Sequence, residues 1–148
     1  MKILIDSNII LDVLLCREEH FDASKSMLDL SASAYTGFLT IYQTRDIFYI
    51  IRRNGLSAAE AKESVRLLAT KLHMLNTEIS DMANALDSSM TDYEDALLAY
   101  CANRHGMDFI VSRNVKDFAN SPVRAISPVD FVQSIASAPT KIASDEDE

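Results

Sequence analysis

The sequence predicts a three-layer α/β/α domain, in which a short central parallel sheet lies between two layers of helices. Short apolar runs, such as residues 2–5 and 108–112, alternate with segments of helical periodicity. Alternation of that kind is typical of a parallel sheet covered by helices on both faces. Only three Gly and three Pro occur in 148 residues, which argues against a loop-rich fold. The sequence contains no repeat or linker, so we expect one domain over residues 1–136.

The hydrophobic pattern assigns each segment to a strand or a helix. The segment 41–51 is ambiguous because its β-branched and aromatic residues also suit a strand. We expect a helix there because Arg45, Arg52 and Arg53 fall on one side of it. In chain order, the predicted elements are strand 2–5, helix 8–15, helix 22–30, strand 37–40, helix 41–53, helix 57–72, strand 74–75, a helix from 80, helix 95–104, strand 108–112, strand 125–126 and helix 128–136.

Local capping signals support several of these helix boundaries. Residues 57–60 and 91–94 match the capping box, in which a Ser or Thr and a Glu three positions later satisfy free amides at a helix start. Gly55 and Gly106 follow helical runs, and glycine readily adopts the left-handed conformation that ends a helix. Pro128 suits the first position of the last helix. These signals therefore define the helices more firmly than periodicity does.

The acidic charge of the chain is concentrated at its C-terminus. Residues 145–148 contribute four of the charges behind the formal net charge of -8. We expect residues 137–148 to form an acidic, disordered tail. The remainder is mildly acidic, which excludes a protein that coats nucleic acid by bulk charge but not an enzyme that contacts a few phosphates.

Cysteine content and hydropathy bear on the cellular compartment. Cys16 and Cys101 match no metal-ligand spacing and fit a reducing environment. The apolar run before Asp6 is too short for a signal peptide, and no stretch approaches the roughly 18 apolar residues of a membrane span. We therefore expect a cytoplasmic protein without a membrane partner.

Acidic side chains lie beside predicted strand ends and helix starts. They are Asp6, Asp46, Asp92, Glu94, Asp95 and Asp117. A parallel sheet brings the carboxyl ends of its strands to one edge, where ligands bind, and the helix that follows Asp92 begins at that edge. Converging carboxylates repel one another unless a divalent cation neutralises them. Oxygen ligands without a His or Cys cluster suit Mg²⁺ or Mn²⁺, which can polarise a phosphodiester and activate a water.

Each of these acids also has an ordinary structural explanation. Asp6 can end a strand and cap the next helix. Asp92 and Asp95 favour the dipole of the helix they begin. Asp46 suits an exposed helix face, and Asp117 suits a turn. Only the combination of acids at one sheet edge indicates a metal site.

Other chemistries fit the sequence poorly. The three His residues lie far apart in the chain, and neither a Gly-rich phosphate loop nor a Gly-x-Ser-x-Gly motif occurs. A phosphatase that uses Asp6 as an aspartyl-phosphate nucleophile ranks last. Haloacid-dehalogenase-like phosphatases require a second Asp two residues later, where this chain has Asn8.

Three segments resemble, in order and spacing, the motifs of PIN domains. They are residues 5–12 (IDSNIILD), 92–97 (DYEDAL) and 110–118 (IVSRNVKDF). The resemblance covers nearly all of residues 1–133. It implies an α/β/α fold with an acidic groove and a ribonuclease activity that depends on Mg²⁺ or Mn²⁺. It also implies a VapC-like toxin that is held by an antitoxin and forms a homodimer.

The resemblance assigns roles to individual residues. The implied catalytic acids are Asp6, Asp95 and Asp117. The implied metal ligands are Asp6, Asp46, Asp95, Asn114 and Asp117. The supporting residues are Asn8, Asp92 and Ser112. Many relatives carry Asp at the position of Asn114, whose amide is a neutral and weaker ligand.

Two functional hypotheses follow for this chain. The first is a metal-dependent endoribonuclease, the toxin of a toxin–antitoxin pair, in which Arg113 and Arg45 contact RNA phosphates. Each Arg taken singly also suits a solvated surface. The alternative is a catalytically weak PIN-like binding module that acts through a protein partner, as the amide of Asn114 suggests.

Overall fold

The computed structural model describes residues 1–138, and within them the chain forms a five-stranded sheet. The strand order is β3-β2-β1-β4-β5, and all neighbouring strands are parallel. The strands are β1 (Lys2–Ile5), β2 (Thr36–Thr40), β3 (His73–Leu75), β4 (Phe109–Val111) and β5 (Ala125–Ile126). This arrangement confirms the predicted α/β fold, and β1 lies at the centre of the sheet.

Seven α-helices occur within residues 1–138. They are α1 (Ser7–Leu14), α2 (Phe21–Asp29), α3 (Ile41–Arg53), α4 (Ala58–Lys71), α5 (Ile79–Asp87), α6 (Tyr93–Arg104) and α7 (Pro128–Ala136). Short 3-10 turns cover Leu30–Ala32 and Val115–Phe118. The predicted tail falls mainly in residues 139–148, which lie outside the described residues, and the domain limit at residue 136 stays a prediction.

The side chains of β1 alternate between two hydrophobic cores. Ile3 and Ile5 pack with α1, α2, α3, α4 and α7, whereas Leu4 and Ile110 pack with α5 and α6 on the other face. All four of these side chains are fully buried. Burial on both faces explains why β1 reads as a continuous apolar run rather than an alternating one.

Capping explains most of the helix boundaries. Ser57 begins α4 with the predicted capping box. Thr40 begins α3 with a second box that uses Gln43, which confirms a helix in the ambiguous segment. The predicted box at residues 91–94 is wrong by one position, because Asp92 and not Thr91 is the N-cap of α6. Its side chain accepts a hydrogen bond from the amide of Asp95 at 2.9 Å, and a charged cap also favours the helix dipole.

Gln43 fixes α3 against the central strand. Its side-chain amide donates to the carbonyl of Ile5 at 2.9 Å and to the hydroxyl of Ser7 at 3.1 Å. Its side-chain carbonyl accepts from the amide of Thr40 at 2.7 Å. This buried side chain therefore holds the start of α3 beside the end of β1.

Two further sequence predictions concern cysteines and membranes. Cys16 is exposed and Cys101 is buried, and both are free thiols. None of the helices in the described part of the chain is long and apolar enough to cross a membrane.

Candidate active site

Asp6 follows β1 directly and occupies the N-cap position of α1. Its side chain makes no capping hydrogen bond, so capping does not explain the carboxylate. Instead, one of its oxygens accepts a hydrogen bond from the hydroxyl of Ser112 at 2.7 Å. Burial raises the pKa of Asp6, while Ser112, the nearby amides of Asn8 and Ser7, and the charge of Arg113 lower it. The net effect is a raised pKa, so ionising Asp6 costs free energy in this environment.

Ser112 joins the loop after β4 to the end of β1. Its buried hydroxyl donates to Asp6 and accepts from the backbone amide of Asn114 at 3.0 Å. The amide of Asp6 also donates to the carbonyl of Val111 at 3.0 Å. The supporting role predicted for Ser112 therefore has a geometric basis.

Asp95 lies in the first turn of α6 and faces the same cluster. Burial and the charges of neighbouring acids raise its pKa to about 7. The neighbours, in order of effect, are Asp92, Asp6, Asp117 and Glu94. The sequence prediction that these strand-end and helix-start acids converge therefore agrees with the structure.

Glu94 belongs to the cluster, although the resemblance assigned it no role in the site. Burial raises its pKa, and the charges of Asp46, Asp92 and Asp6 raise it further. Asp46, on α3, therefore approaches the cluster on its Glu94 side. Nothing in the sequence distinguishes Glu94 from a capping acid, so only the three-dimensional arrangement identifies it.

The other three predicted residues differ in burial and in the groups that they contact. Asn114 is exposed, and its backbone amide is the group that bonds to Ser112. Asn8 lies partly buried in the first turn of α1. Arg45 is exposed, and its guanidinium lies 3.3 Å from the carboxylate of Asp46 and near the ring of Tyr49.

Arg113 pairs with Asp12, an acid that was not among the predicted site residues. Its Nε atom lies 2.9 Å from a carboxylate oxygen of Asp12, which is completely buried on α1. The N–H of Arg113 is not aligned with that oxygen, so the contact is an ion pair rather than a hydrogen bond. Asp12 is the last residue of the segment 5–12 that resembles PIN domains. The only sign of its role in the sequence is that it is a charged residue in an otherwise apolar helix.

A groove of about 800 Å³ adjoins the acidic cluster. It is lined by Arg45, Asp46, Tyr49, Ile50, Arg52, Arg53 and Glu94. The exposed aromatic ring of Tyr49 and three guanidinium groups lie along α3, and Glu94 marks the end nearest the carboxylates. This composition suits a polyanion that also carries stacking groups.

The donor set determines which metal the residues could hold. Within residues 1–138, no three His, Cys, Asp or Glu side chains are arranged to hold one ion. Mg²⁺, however, keeps several waters and binds through one or two carboxylates, so a preformed cage is not required. Burial raises the pKa of Asp6, and burial together with repulsion from neighbouring acids raises the pKa values of Glu94 and Asp95; a cation would favour the ionised form of all three. The residues therefore fit a hydrated Mg²⁺ or Mn²⁺.

An unsatisfied hydroxyl adds to the polar character of this region. The buried hydroxyl of Tyr42 has no hydrogen-bond partner among the described residues. Burial raises its pKa, the nearby side chain of Thr40 lowers it, and the charges of Cys101, Glu94 and Asp6 raise it further; the approach of Thr40 falls short of hydrogen-bond geometry. A buried donor without a partner is uncommon, and it could hydrogen-bond a water beside the cluster.

Several solved structures share this fold, although no curated protein matches the sequence. VapBC2 from Rickettsia felis, bound to a promoter DNA fragment, is 15% identical with a TM-score of 0.67, over 86% of this chain and 98% of that chain. A toxin–antitoxin complex from Klebsiella pneumoniae is 19% identical with a TM-score of 0.62, over 84% and 96%. VapC20 from Mycobacterium tuberculosis, a toxin that cleaves the sarcin–ricin loop, is 13% identical with a TM-score of 0.63, over 82% and 98%.

These identities are low, so the likeness to solved structures concerns the fold. The family evidence is independent of them, because the PIN domain family matches residues 2–116, which is most of the chain. Its range includes β1, α6 and β4 with Asp6, Asp46, Glu94 and Asp95, and it ends one residue before Asp117. The chain therefore belongs to the PIN domain family.

Proposed function

We propose that this protein is a Mg²⁺- or Mn²⁺-dependent endoribonuclease, and that it is the toxin of a toxin–antitoxin pair. The observation that carries the proposal is the raised pKa of Asp95, about 7, caused by burial and by the surrounding acids. Because neighbouring acids add to the effect of burial, the shift supports a site at which negative charge is concentrated around Asp95. Perturbed acids of this kind are concentrated at functional sites.

The chain's own residues would divide the work of cleavage. Asp6 and Asp95 would hold the cation directly, and Asp117, Asp46, Glu94 and Asn114 would complete its surroundings through water. Ser112 would orient Asp6, Asp92 would fix the start of α6, and Asn8 would support the first turn of α1. A bound Mg²⁺ or Mn²⁺ supplies positive charge to the phosphodiester and lowers the pKa of water.

RNA is the proposed substrate because a basic groove leads to the acids. Arg45, Arg52 and Arg53 could contact successive phosphates, and Tyr49 offers an exposed ring for base stacking. Arg113 would contact the phosphate nearest the carboxylates. The similarity of the fold to a toxin that cleaves the sarcin–ricin loop supports RNA rather than DNA.

The test is cleavage of a total RNA preparation with Mn²⁺ and with EDTA. We expect the wild type to cleave only with Mn²⁺, and Asp6→Asn and Asp95→Asn to lose at least about 10²-fold in rate. Asp87→Asn is the matched control, because Asp87 is an exposed acid at the end of α5. Equal cleavage by wild type and Asp6→Asn would contradict the proposal.

A catalytically weak binding module is the second candidate. The exposed amide of Asn114 and the lack of a preformed three-acid site within residues 1–138 favour it. Calorimetry separates the two, because a binding module should show no uptake of Mn²⁺ at millimolar concentration. Asn114→Asp provides a further comparison, since an added carboxylate should strengthen Mn²⁺ binding if the cluster is a metal site.

We also propose an antitoxin as protein partner. Toxin–antitoxin complexes are among the structures that share the fold. An apolar groove of about 530 Å³ between α1, α2 and α4 could take an amphipathic segment of such a partner. Its lining includes Ile10, Val13, Leu14, Leu28 and Leu67, and Leu67 is half exposed. Copurification of wild type, but not Leu67→Asp, with the product of a neighbouring gene would support this partner.

A homodimer and a cytoplasmic location complete the proposal. Helix α5 exposes Ile79, Met82 and Leu86, and large apolar patches often mark interfaces. Sedimentation equilibrium is the direct test, and Leu86→Lys should shift a dimer toward monomer. A dimer that survives Leu86→Lys unchanged would place the interface elsewhere.

A further inference from the structure

Asp12 is a buried carboxylate that the proposed reaction does not use. It lies on α1 and is completely inaccessible to solvent. One of its oxygens accepts a hydrogen bond from Ser24 at 2.8 Å and lies 2.9 Å from Nε of Arg113. The other lies 3.4 Å from the guanidinium of Arg17. Asp12 therefore connects α1, α2 and the loop after β4 at one point.

A buried ionised carboxylate is costly unless it is paired. Ser24 and Arg17 already provide a hydrogen bond and a positive charge from the neighbouring segment of chain. The Arg113 contact is different in kind, because it reaches a loop that is about 100 residues away in the sequence. Asp12 is therefore paired even without Arg113, and the main effect of the contact is to fix the position of the Arg113 side chain.

Arg113 lies next in sequence to the residue that contacts Asp6. It follows Ser112, whose hydroxyl bonds to Asp6, and its charge is close enough to lower the pKa of Asp6. Its side chain is about a quarter exposed, and it contacts Asp12 through Nε. Because Ser112 is bonded to Asp6, a guanidinium on the next residue that had no other partner would be attracted to Asp6 and would compete there with a divalent cation.

We propose that Asp12 is a positioning residue that holds the Arg113 guanidinium beside the carboxylate cluster and keeps it from pairing with Asp6. Asp12 pairs with the Nε side of Arg113, which leaves the terminal nitrogens available for a substrate phosphate. The cation site then stays accessible although an arginine lies next to it. This inference rests on the proposed cation site.

The consequence is a specific pattern of Mn²⁺ affinities. In Asp12→Asn, Arg113 loses its partner and pairs with Asp6, so Mn²⁺ binding weakens about tenfold. Removing the guanidinium as well, in Asp12→Asn with Arg113→Gln, restores the affinity to within about twofold of wild type. A role of Asp12 in stability alone would not produce this rescue.

Titration calorimetry of the full chain with MnCl₂ tests the pattern, and circular dichroism melts verify that each variant is folded. Arg17→Gln is the matched control, because it removes the other guanidinium from the same carboxylate and should leave Mn²⁺ affinity within about twofold. Arg113→Gln should also bind within about twofold of wild type, since Asp12 already holds the guanidinium off Asp6. This variant decides the matter should Asp12→Asn fail to fold, and a tenfold gain would overturn the proposal.

The remaining outcomes separate two failures. Asp12→Asn that binds Mn²⁺ like the wild type, or a double variant as weak as Asp12→Asn, overturns the positioning role and leaves the cation site standing. A wild type that takes up no Mn²⁺ overturns the proposed function and this inference together.

Discussion

Acids lie near both ends of helix α6, and their electrostatic environments are opposite. At its C-terminus, the guanidinium of Arg104 donates two hydrogen bonds of 2.9 Å to buried Asp81 and pairs with Glu78 at 3.2 Å. Burial acts to raise the pKa of Asp81, but Arg104 and the amide of Glu78 lower it below its usual value. At the N-terminus, Asp95 is surrounded by other acids, and its pKa rises to about 7.

The difference separates a structural acid from a functional one. Arg104 also donates to the carbonyl of Asn76 at 2.6 Å. The ion pair of Arg104 with Asp81 therefore helps to anchor the segment after β3. The acids around Asp95 contribute no comparable pairing, and their repulsion destabilises the folded chain. Natural proteins tolerate such a cost at functional sites, where a ligand relieves it.

The largest expected effect comes from removing Arg104, which pairs with acids at the C-terminus of α6. Arg104→Leu leaves buried Asp81 without its cation and should lower the free energy of unfolding by about 3 kcal/mol. Arg66→Leu is the control, because its ion pair with Glu63 is exposed and should contribute less than about 1 kcal/mol. Urea denaturation measures both, and equal losses would show that the Arg104 pair is not a structural anchor.

At the N-terminus of α6, removal of an acid is expected to stabilise the protein. The folded pKa of Asp95 lies above its usual 3.8, so folding stability falls as pH rises from about 4 to about 7 and stays low above that. Asp95→Asn removes this penalty and should stabilise the metal-free protein at pH 8 by about 1 kcal/mol, a reduced figure because Asp95 is partly solvated. That corresponds to a rise in Tm of about 2–4 °C.

Thermal melts in EDTA at pH 4 and pH 8 provide the measurement. The stabilisation should be present at pH 8 and much smaller at pH 4, where Asp95 is protonated in the folded protein and partly protonated in the unfolded chain. Asp81→Asn should behave in the opposite way, because it removes a carboxylate whose pKa is lowered in the folded protein. A destabilising Asp95→Asn at pH 8 would mean that this carboxylate is already compensated.

The sequence was sufficient for the fold but not for the full membership of the site. Apolar runs and capping residues predicted every strand, and parallel topology placed Asp6 and Asp95 at one edge. Glu94 was among the acids expected at that edge but received no role in the site, because a first-turn acid is equally expected as a cap. Asp12 escaped because its partners Ser24 and Arg113 lie on other elements, and nothing local to α1 indicates them.

The smallest expected effect concerns RNA binding along α3. Arg53→Ala should weaken binding of a labelled single-stranded RNA by about threefold to tenfold and reduce the salt dependence by about one charge. Arg66→Ala, on α4, is a matched control outside the groove at the acids. Fluorescence anisotropy in EDTA measures binding without cleavage. Equal weakening by both variants would indicate that only net charge matters.

The most direct measurement is Mg²⁺ calorimetry of the wild type at pH 7 in two buffers that differ in ionisation enthalpy. Because the pKa of Asp95 is about 7, this carboxyl is about half protonated at that pH, and cation binding should release about half a proton. Asp95→Asn should bind Mg²⁺ more weakly and release none. Binding without proton release, or no binding by the wild type, would contradict the assignment of these acids as a cation site.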